Sequence, residues 1–157
     1  MISFLKKYSP EIFGALLCLS LGLLSGYLSN SGNTQWFINL NKPEFNPPSW
    51  VFAPVWTVLY LMMGVALGKL WKVRELSGTL LTLFAIQMFL NLMWSPLFFY
   101  FHQIDLALMC LMLLWIFLLS FMTLARRVRI VYMLFVPYLL WVSFALTLNY
   151  SFFKLNS

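Results

Sequence analysis

The 157-residue chain is 62% hydrophobic and only 9% charged, whereas a soluble domain has about a quarter of its residues charged, so a soluble globular protein is excluded. Its net charge of +6 comes from small basic groups at the ends of apolar runs rather than from one basic face, so nucleic acid is not an expected partner. What remains is an all-α membrane protein. A helix needs about 20 apolar residues to cross a hydrocarbon core of roughly 30 Å, and five uncharged runs of that scale nearly exhaust the sequence. A single five-transmembrane-helix bundle over 1–157 is therefore expected, with spans near 10–28, 48–69, 78–100, 105–125 and 130–153.

The first span sets Gly14, Cys18, Gly22 and Gly26 at every fourth position. Small residues at that spacing let helix backbones approach closely in a membrane. A packing face is the expected role, ahead of ligand contact, and its partner is either another helix of this chain or a second copy. Lys6 and Lys7 ahead of it resemble the start of a secretory signal, but the apolar run is longer than a usual signal core, so a retained span is expected.

Residues 29–46 form the one long loop, with Gly32 and Pro43 as breakers. Loops of this length are commonly lids, binding loops or disordered segments, and Trp36 with Phe37 argues against disorder. These two rings serve either as interfacial anchors or as a cover over a cavity.

The second span carries the most unusual stretch, NPPSWVFAPVWTVLYLMMG from Asn46 to Gly64. Pro47 and Pro48 suit a helix start, whereas Pro54, one turn inside, predicts a kink or a loosened first turn. Trp56, Tyr60, Met63 and Leu67 share one helical face. Gly64 and Gly68 offer another close-packing stripe.

In the third span Gln87, Asn91, Trp94, Ser95 and Phe98 recur at helical spacing. Lipid cannot hydrogen-bond polar side chains, so this face turns toward the bundle interior, either to bond other helices or to contact a ligand. Pro96 adds a second break. In the turn that follows, Asp105 is expected to cap the next helix, and neither it nor His102 is assigned a catalytic role. The fourth span reads as scaffold, with Cys110 and Trp115 its only unusual members. The fifth holds Pro137, Tyr138, Trp141, Ala145, Leu148 and Asn149 on neighbouring positions, and a mid-membrane Trp141 requires a partner for its indole N–H. Cys18 and Cys110 both lie within spans, so neither a disulfide nor a metal site is expected.

Five spans put the N-terminus and the second and fourth loops on one side. That side carries Lys6, Lys7, Lys69, Lys72, Arg74, Arg126, Arg127 and Arg129, against Lys42 and Lys154 on the other. The positive-inside rule then predicts an N-terminus inside and a C-terminus outside.

Taken together, Trp36 with Lys42-Pro43 and Pro47-Pro48, the VFAPVWTVLYLMMG stretch, Gln87 and Asn91 with Trp94-Ser95-Pro96 and Phe98-Phe99, and PYLLWVSFALTLN from Pro137 to Asn149 resemble the translocator protein and tryptophan-rich sensory protein family, also called peripheral benzodiazepine receptors. The likeness covers nearly the whole chain. It implies a cavity that opens toward the long first loop and binds protoporphyrin IX, haem and benzodiazepine-type ligands. The family's cavity positions fall on Trp36, Trp56, Tyr60, Gln87, Asn91, Trp94, Trp141 and Ala145. Trp56 and Trp141 match the pair linked to light-dependent porphyrin breakdown in some bacterial members. Homodimers are common in the family, and the small-residue stripes suit one. Animal members are associated with sterol through a pattern that Leu148, Tyr150 and Lys154 fit. Where many relatives carry a carboxylate in the fourth helix, this chain has Cys110. A bacterial cytoplasmic membrane is the default expectation, and the resemblance adds outer membranes of bacteria or mitochondria as alternatives.

Three functions are thus expected in order: tetrapyrrole binding for sensing, buffering or transport; photochemical porphyrin degradation; and sterol or lipid binding. No acid/base dyad or nucleophile constellation appears, so any degradation draws on the ligand's own photochemistry. No cofactor is required, porphyrin or haem being a ligand, and membrane lipids are the surrounding partners.

Overall fold

Each uncharged run folds as one long helix. In a computed structural model, which describes residues 2–29, 35–73 and 77–157 with side chains from 7 to 29, 35 to 73 and 78 to 157, α1 spans Ile2–Leu28 and a short α2 spans Gln35–Asn39. A 3₁₀ turn at Ser49–Val51 leads into α3, Phe52–Trp71. The remaining helices are α4, Ser77–Ser95, prolonged by a π-helical turn at Pro96–Tyr100, α5, Ile104–Ala125, and α6, Arg129–Asn156. Five of them are long and apolar enough to cross a membrane, and no strand occurs among the described residues. The fold is an all-α transmembrane bundle. Gly32, Arg74 and the Lys6 side chain, invoked above for the loop and the charge count, lie outside the described residues.

α1 begins well before residue 10 and carries Pro10 inside it, while α6 runs past 153. Hydropathy marks where a helix is greasy, and a helix continues past that point wherever its turns stay bonded. Pro54 falls in the first turn of α3, where no intrahelical N–H bond is owed, and the predicted loosening takes the form of the 3₁₀ turn just before it. Pro96 opens the π turn, in which the Phe101 N–H donates to the Pro96 carbonyl at 2.9 Å. His102, at φ 58°, ends the helix in the left-handed region, and the Gln103 N–H reaches back to the Leu97 carbonyl at 2.9 Å. Asp105 is not the cap it was expected to be: α5 starts at Ile104, and Asp105 sits inside the first turn, where its charge favours the helix dipole instead.

Around the bundle the neighbours run α1, α3, α6, α5, α4 and back to α1. The α1–α3 contact is the most extensive and resolves the question of the small-residue stripe. A Cβ on Gly14 would fall on the Gly64 carbonyl, one on Gly64 on the Gly14 and Ala15 backbone, one on Gly68 on the Glu11 backbone, and one on Gly22 inside the Tyr60 ring. Gly14 is thus spent on the second stripe predicted for α3 and Gly22 on Tyr60, while Gly22 and Gly26 also border the cavity described below.

The basic end of the bundle is solid. Phe84, Phe121 and Phe135 meet with ring centroids 4.4–6.2 Å apart, joining α4, α5 and α6 with no exposure above 5%. On the α1–α3 side the buried Glu11 carboxylate lies 3.0 Å from Lys69 Nζ and 2.7 Å from Lys72 Nζ, and Lys72 also donates to the Lys7 carbonyl at 2.6 Å. Sequence reading passed over Glu11 as a boundary residue.

Candidate ligand cavity

At the opposite end the helices part around a cavity of about 670 Å³, within the range of small-molecule pockets. α3 supplies Phe52, Ala53, Trp56, Thr57 and Tyr60, α4 supplies Asn91, Trp94, Ser95, Phe98 and Phe99, and α6 supplies Trp141, Ala145, Leu148, Asn149 and Phe152. α1 contributes the stretch from Leu19 to Tyr27, and the first loop contributes Phe37 and Asn46. The α5 scaffold stays outside the lining, as its featureless sequence suggests.

Polar side chains under the cavity are knitted together. Tyr60 Oη donates to Asn91 Oδ1 at 2.6 Å, and Asn91 Nδ2 donates to Tyr138 Oη at 3.0 Å. This chain joins α3, α4 and α6 and forms the floor, and Tyr138 is fully buried beneath it. On one wall Trp94 Nε1 donates to Asn149 Oδ1 at 2.9 Å, while Asn149 Nδ2 donates to the Ile104 carbonyl at 3.0 Å. Trp56 stands between Tyr60, 5.6 Å away and tilted by 30°, and Trp141, 6.4 Å away and perpendicular.

Two lining groups are left over. The indole N–H of Trp141 and the side-chain carbonyl of Asn46 are buried without a hydrogen-bond partner among the described residues. An unpaired buried donor or acceptor costs about 1–3 kcal/mol, and neither atom has surface open to the cavity, so that cost is carried by the packing around it.

The first loop covers the end of α4 and α6. Phe37 packs within 5.3–6.2 Å of Phe98, Phe99 and Phe152, and the Lys42 ammonium lies 4.8 Å above the Phe37 ring. Asn156 clamps the loop to α6: its Oδ1 accepts from the Asn41 N–H at 2.9 Å, and its Nδ2 donates to the Asn41 carbonyl at 3.0 Å.

Of the expected site residues, Trp56, Tyr60, Asn91, Trp94, Trp141 and Ala145 converge on the cavity. Trp36 does not line it: its ring stacks on His102 at 4.3 Å and 19° and meets Phe98 edge-on at 5.6 Å, so it pins the cover down while Phe37 faces inward. Gln87 is also outside the lining; it is wholly buried, with neither amide atom partnered among the described residues. It lies on the face that Asn91 uses but one turn deeper, below the floor. Leu148 faces the cavity, whereas Tyr150 and Lys154 are exposed, their ammonium and ring 5.5 Å apart. Two residues of helix separate Leu148 from Tyr150 by about 200°, so the three do not form one surface. The Cys110 thiol donates to the Leu90 carbonyl at 3.2 Å, at the α4–α5 contact and away from the cavity. Asn46 and His102 were missed, and only their positions next to aromatic and proline clusters hinted at them.

A five-helix membrane protein with one aromatic, partly polar cavity under a folded loop is the class that fold and site define. The TspO/MBR family profile matches residues 14–155. The chain is 42% identical over 145 residues to the tryptophan-rich protein TspO of Chlorobaculum tepidum, covering 89% of this chain and 91% of that one. It is 38% identical over 123 residues to a tryptophan-rich sensory protein of Cereibacter sphaeroides, covering 78% and 77%, and 35% identical over 161 residues to the human translocator protein, covering 91% and 88%. The chain belongs to the TspO/MBR family.

Proposed function

We propose that the cavity binds a tetrapyrrole such as protoporphyrin IX or haem, as a step in sensing, buffering or moving it. The observation that carries this reading is the aromatic lining, with Trp56 tilted by 30° on Tyr60 and perpendicular to Trp141, and with the amides of Asn46, Asn91 and Asn149 among the lining residues. A large flat aromatic ligand gains from exactly those elements: apolar walls, indole faces, and a few polar atoms that fix its orientation. Of the two lysines at this end of the bundle, Lys42 and Lys154, the first sits on the covering loop above Phe37 and is placed to meet a propionate. Titrating the purified protein with protoporphyrin IX should quench tryptophan fluorescence, and Trp141→Phe, which trims an indole from the wall but keeps a ring, should weaken binding by about tenfold. Unchanged affinity in both Trp141→Phe and Trp56→Phe would refute the reading.

A light-dependent breakdown of bound porphyrin is the second reading, favoured by the 6.4 Å approach of Trp56 and Trp141 inside the cavity. Illumination of the complex separates the two, because binding alone predicts a bound spectrum that decays no faster than that of free ligand. Sterol binding through Leu148, Tyr150 and Lys154 has less support, since these side chains face different ways. A homodimer would have to use a face other than the α1 stripe. The basic end formed by Lys7, Lys69, Lys72 and the Arg126–Arg129 turn faces the cytoplasm on this reading, with the cavity toward the outside of a bacterial cytoplasmic membrane.

A further inference from the structure

The cavity is closed unevenly. Its α4 and α6 walls contain no exposed residue: Asn91, Phe98, Ala145, Leu148, Asn149 and Phe152 are buried, and the others are partly so. Its exposed lining residues all lie on α1 and at the start of α3. Leu23 is 62% exposed, Tyr27 83% and Trp50 74%, and Ser49 and Ala53 are exposed beside them. The described part of the covering loop, from residue 35 on, leans the other way. Its ring contacts from Trp36, Phe37 and Phe45 run to α4, to the turn after it and to α6, and its clamp is Asn156 of α6.

The α1–α3 seam changes character along its length. From Gly14 opposite Gly64 to Gly22 opposite Tyr60 there is no room for a methyl group. Beyond Tyr60 both helices border the cavity. The exposed residues there fall within the membrane-crossing segments Lys7–Leu28 and Ser49–Trp71, so the gap faces hydrocarbon and interface, not bulk water. It is flanked by Leu23, Tyr27 and Trp50, and it is free of charge.

We infer that the cavity is filled sideways from the membrane, through the gap between the end of α1 and the start of α3, by an apolar or amphipathic ligand already dissolved in the bilayer. The loop on α4 and α6 is then a roof that keeps water out, while the open α1–α3 side is the door. The partition follows from the packing: glycine contacts hold the seam shut near the basic end, whereas the lining residues exposed to the membrane lie at the cavity end. As to ligand identity this rests on the tetrapyrrole reading, but the route itself does not.

The test uses the full chain in lipid nanodiscs. A short bismaleimide joining Leu23→Cys to Ala53→Cys should slow protoporphyrin IX association, followed by stopped-flow tryptophan quenching, by about tenfold or more, because a blocked path lowers the on-rate. Because Leu23 and Ala53 line the cavity, the same double-cysteine protein left unlinked is the reference, so the rate change reports the link and not the substitutions. Joining Asn41→Cys to Asn156→Cys, which locks the roof, should leave the rate unchanged. Cys18 and Cys110 are 1% and 6% exposed, so they do not compete for the reagent. A second readout needs no porphyrin. Thr57→Cys, on the cavity wall, should be labelled faster by a lipophilic maleimide than by a sulfonated one, and adding Ala53→Trp should abolish that preference. If protoporphyrin IX fails to bind the unlinked protein, the ligand reading falls and the labelling decides the route alone. Equal labelling by both reagents, or slowing by the roof cross-link instead of the seam cross-link, would overturn the proposal.

Discussion

Replacing Gly64 by alanine puts the α1–α3 packing to a quantitative test. In an isolated helix the change would help, by about 1 kcal/mol, because alanine is the better helix former. Here the new methyl meets the Gly14 carbonyl and the Ala15 backbone, atoms that move only if a whole helix moves. Overpacking of a tight contact costs about 1–3 kcal/mol or more, and separating the helices also strains the Gly22–Tyr60 contact and the Glu11–Lys72 pair. The expected net is a loss of about 1–2 kcal/mol, or a melting temperature lower by about 2–8 °C if the size scaling of soluble domains holds. Gly78→Ala is the control, because a Cβ there meets nothing within 4 Å; it should leave the midpoint unchanged or raise it slightly. Thermal unfolding of both variants in one detergent gives the comparison. If Gly64→Ala melts at or above wild type, α1 and α3 are not in backbone contact and the assignment of the stripe is wrong.

Three further outcomes follow from buried polar groups. Asn91→Leu removes the link between the Tyr60 and Tyr138 hydroxyls and should cost about 1–2 kcal/mol, near the upper end for hydrogen bonds between membrane helices; Tyr138→Phe in the same background should then add little. Gln87→Met keeps the volume but deletes two unpartnered amide atoms, so it should be neutral or stabilising by about 1 kcal/mol and leave protoporphyrin IX affinity unchanged, whereas a drop in affinity would restore Gln87 to the site. Glu11→Gln leaves Lys69 and Lys72 facing each other without their counter-charge and should destabilise by about 1–3 kcal/mol. That loss should persist at high salt, since the Glu11 side chain is only 6% exposed.

Much of the fold is written in the sequence in the simplest way, because a bilayer imposes one rule on every span: long, uncharged and helical. The cavity walls were legible for a related reason. Trp56, Asn91, Trp94 and Trp141 are residues that lipid-facing surfaces have no use for, so their shared faces had to turn inward. Depth along a helix was not legible. Gln87 and Asn91 share a face, yet Asn91 is part of the Tyr60–Asn91–Tyr138 floor and Gln87 lies below it, and only three helices together define where that floor is. Pairing was hidden too, since a stripe such as Gly14 to Gly26 names a close contact but not the partner. The role of Trp36 depended on His102, whose left-handed backbone places an imidazole where the loop can stack on it.

The division of the bundle into a solid end and a hollow end separates two kinds of evolutionary freedom. Around Phe84, Phe121, Phe135 and Tyr138 every side chain has neighbours on all sides, so a change of one methylene is felt at once by the fold. A residue such as Ala53, Ala145 or Phe99 borders empty space on one side, and a change of size there alters the shape of the cavity with little effect on what holds the helices together. Such a scaffold can drift from one bound molecule to another by substitutions in the hollow end alone, while its stability remains in the keeping of residues that never touch the ligand.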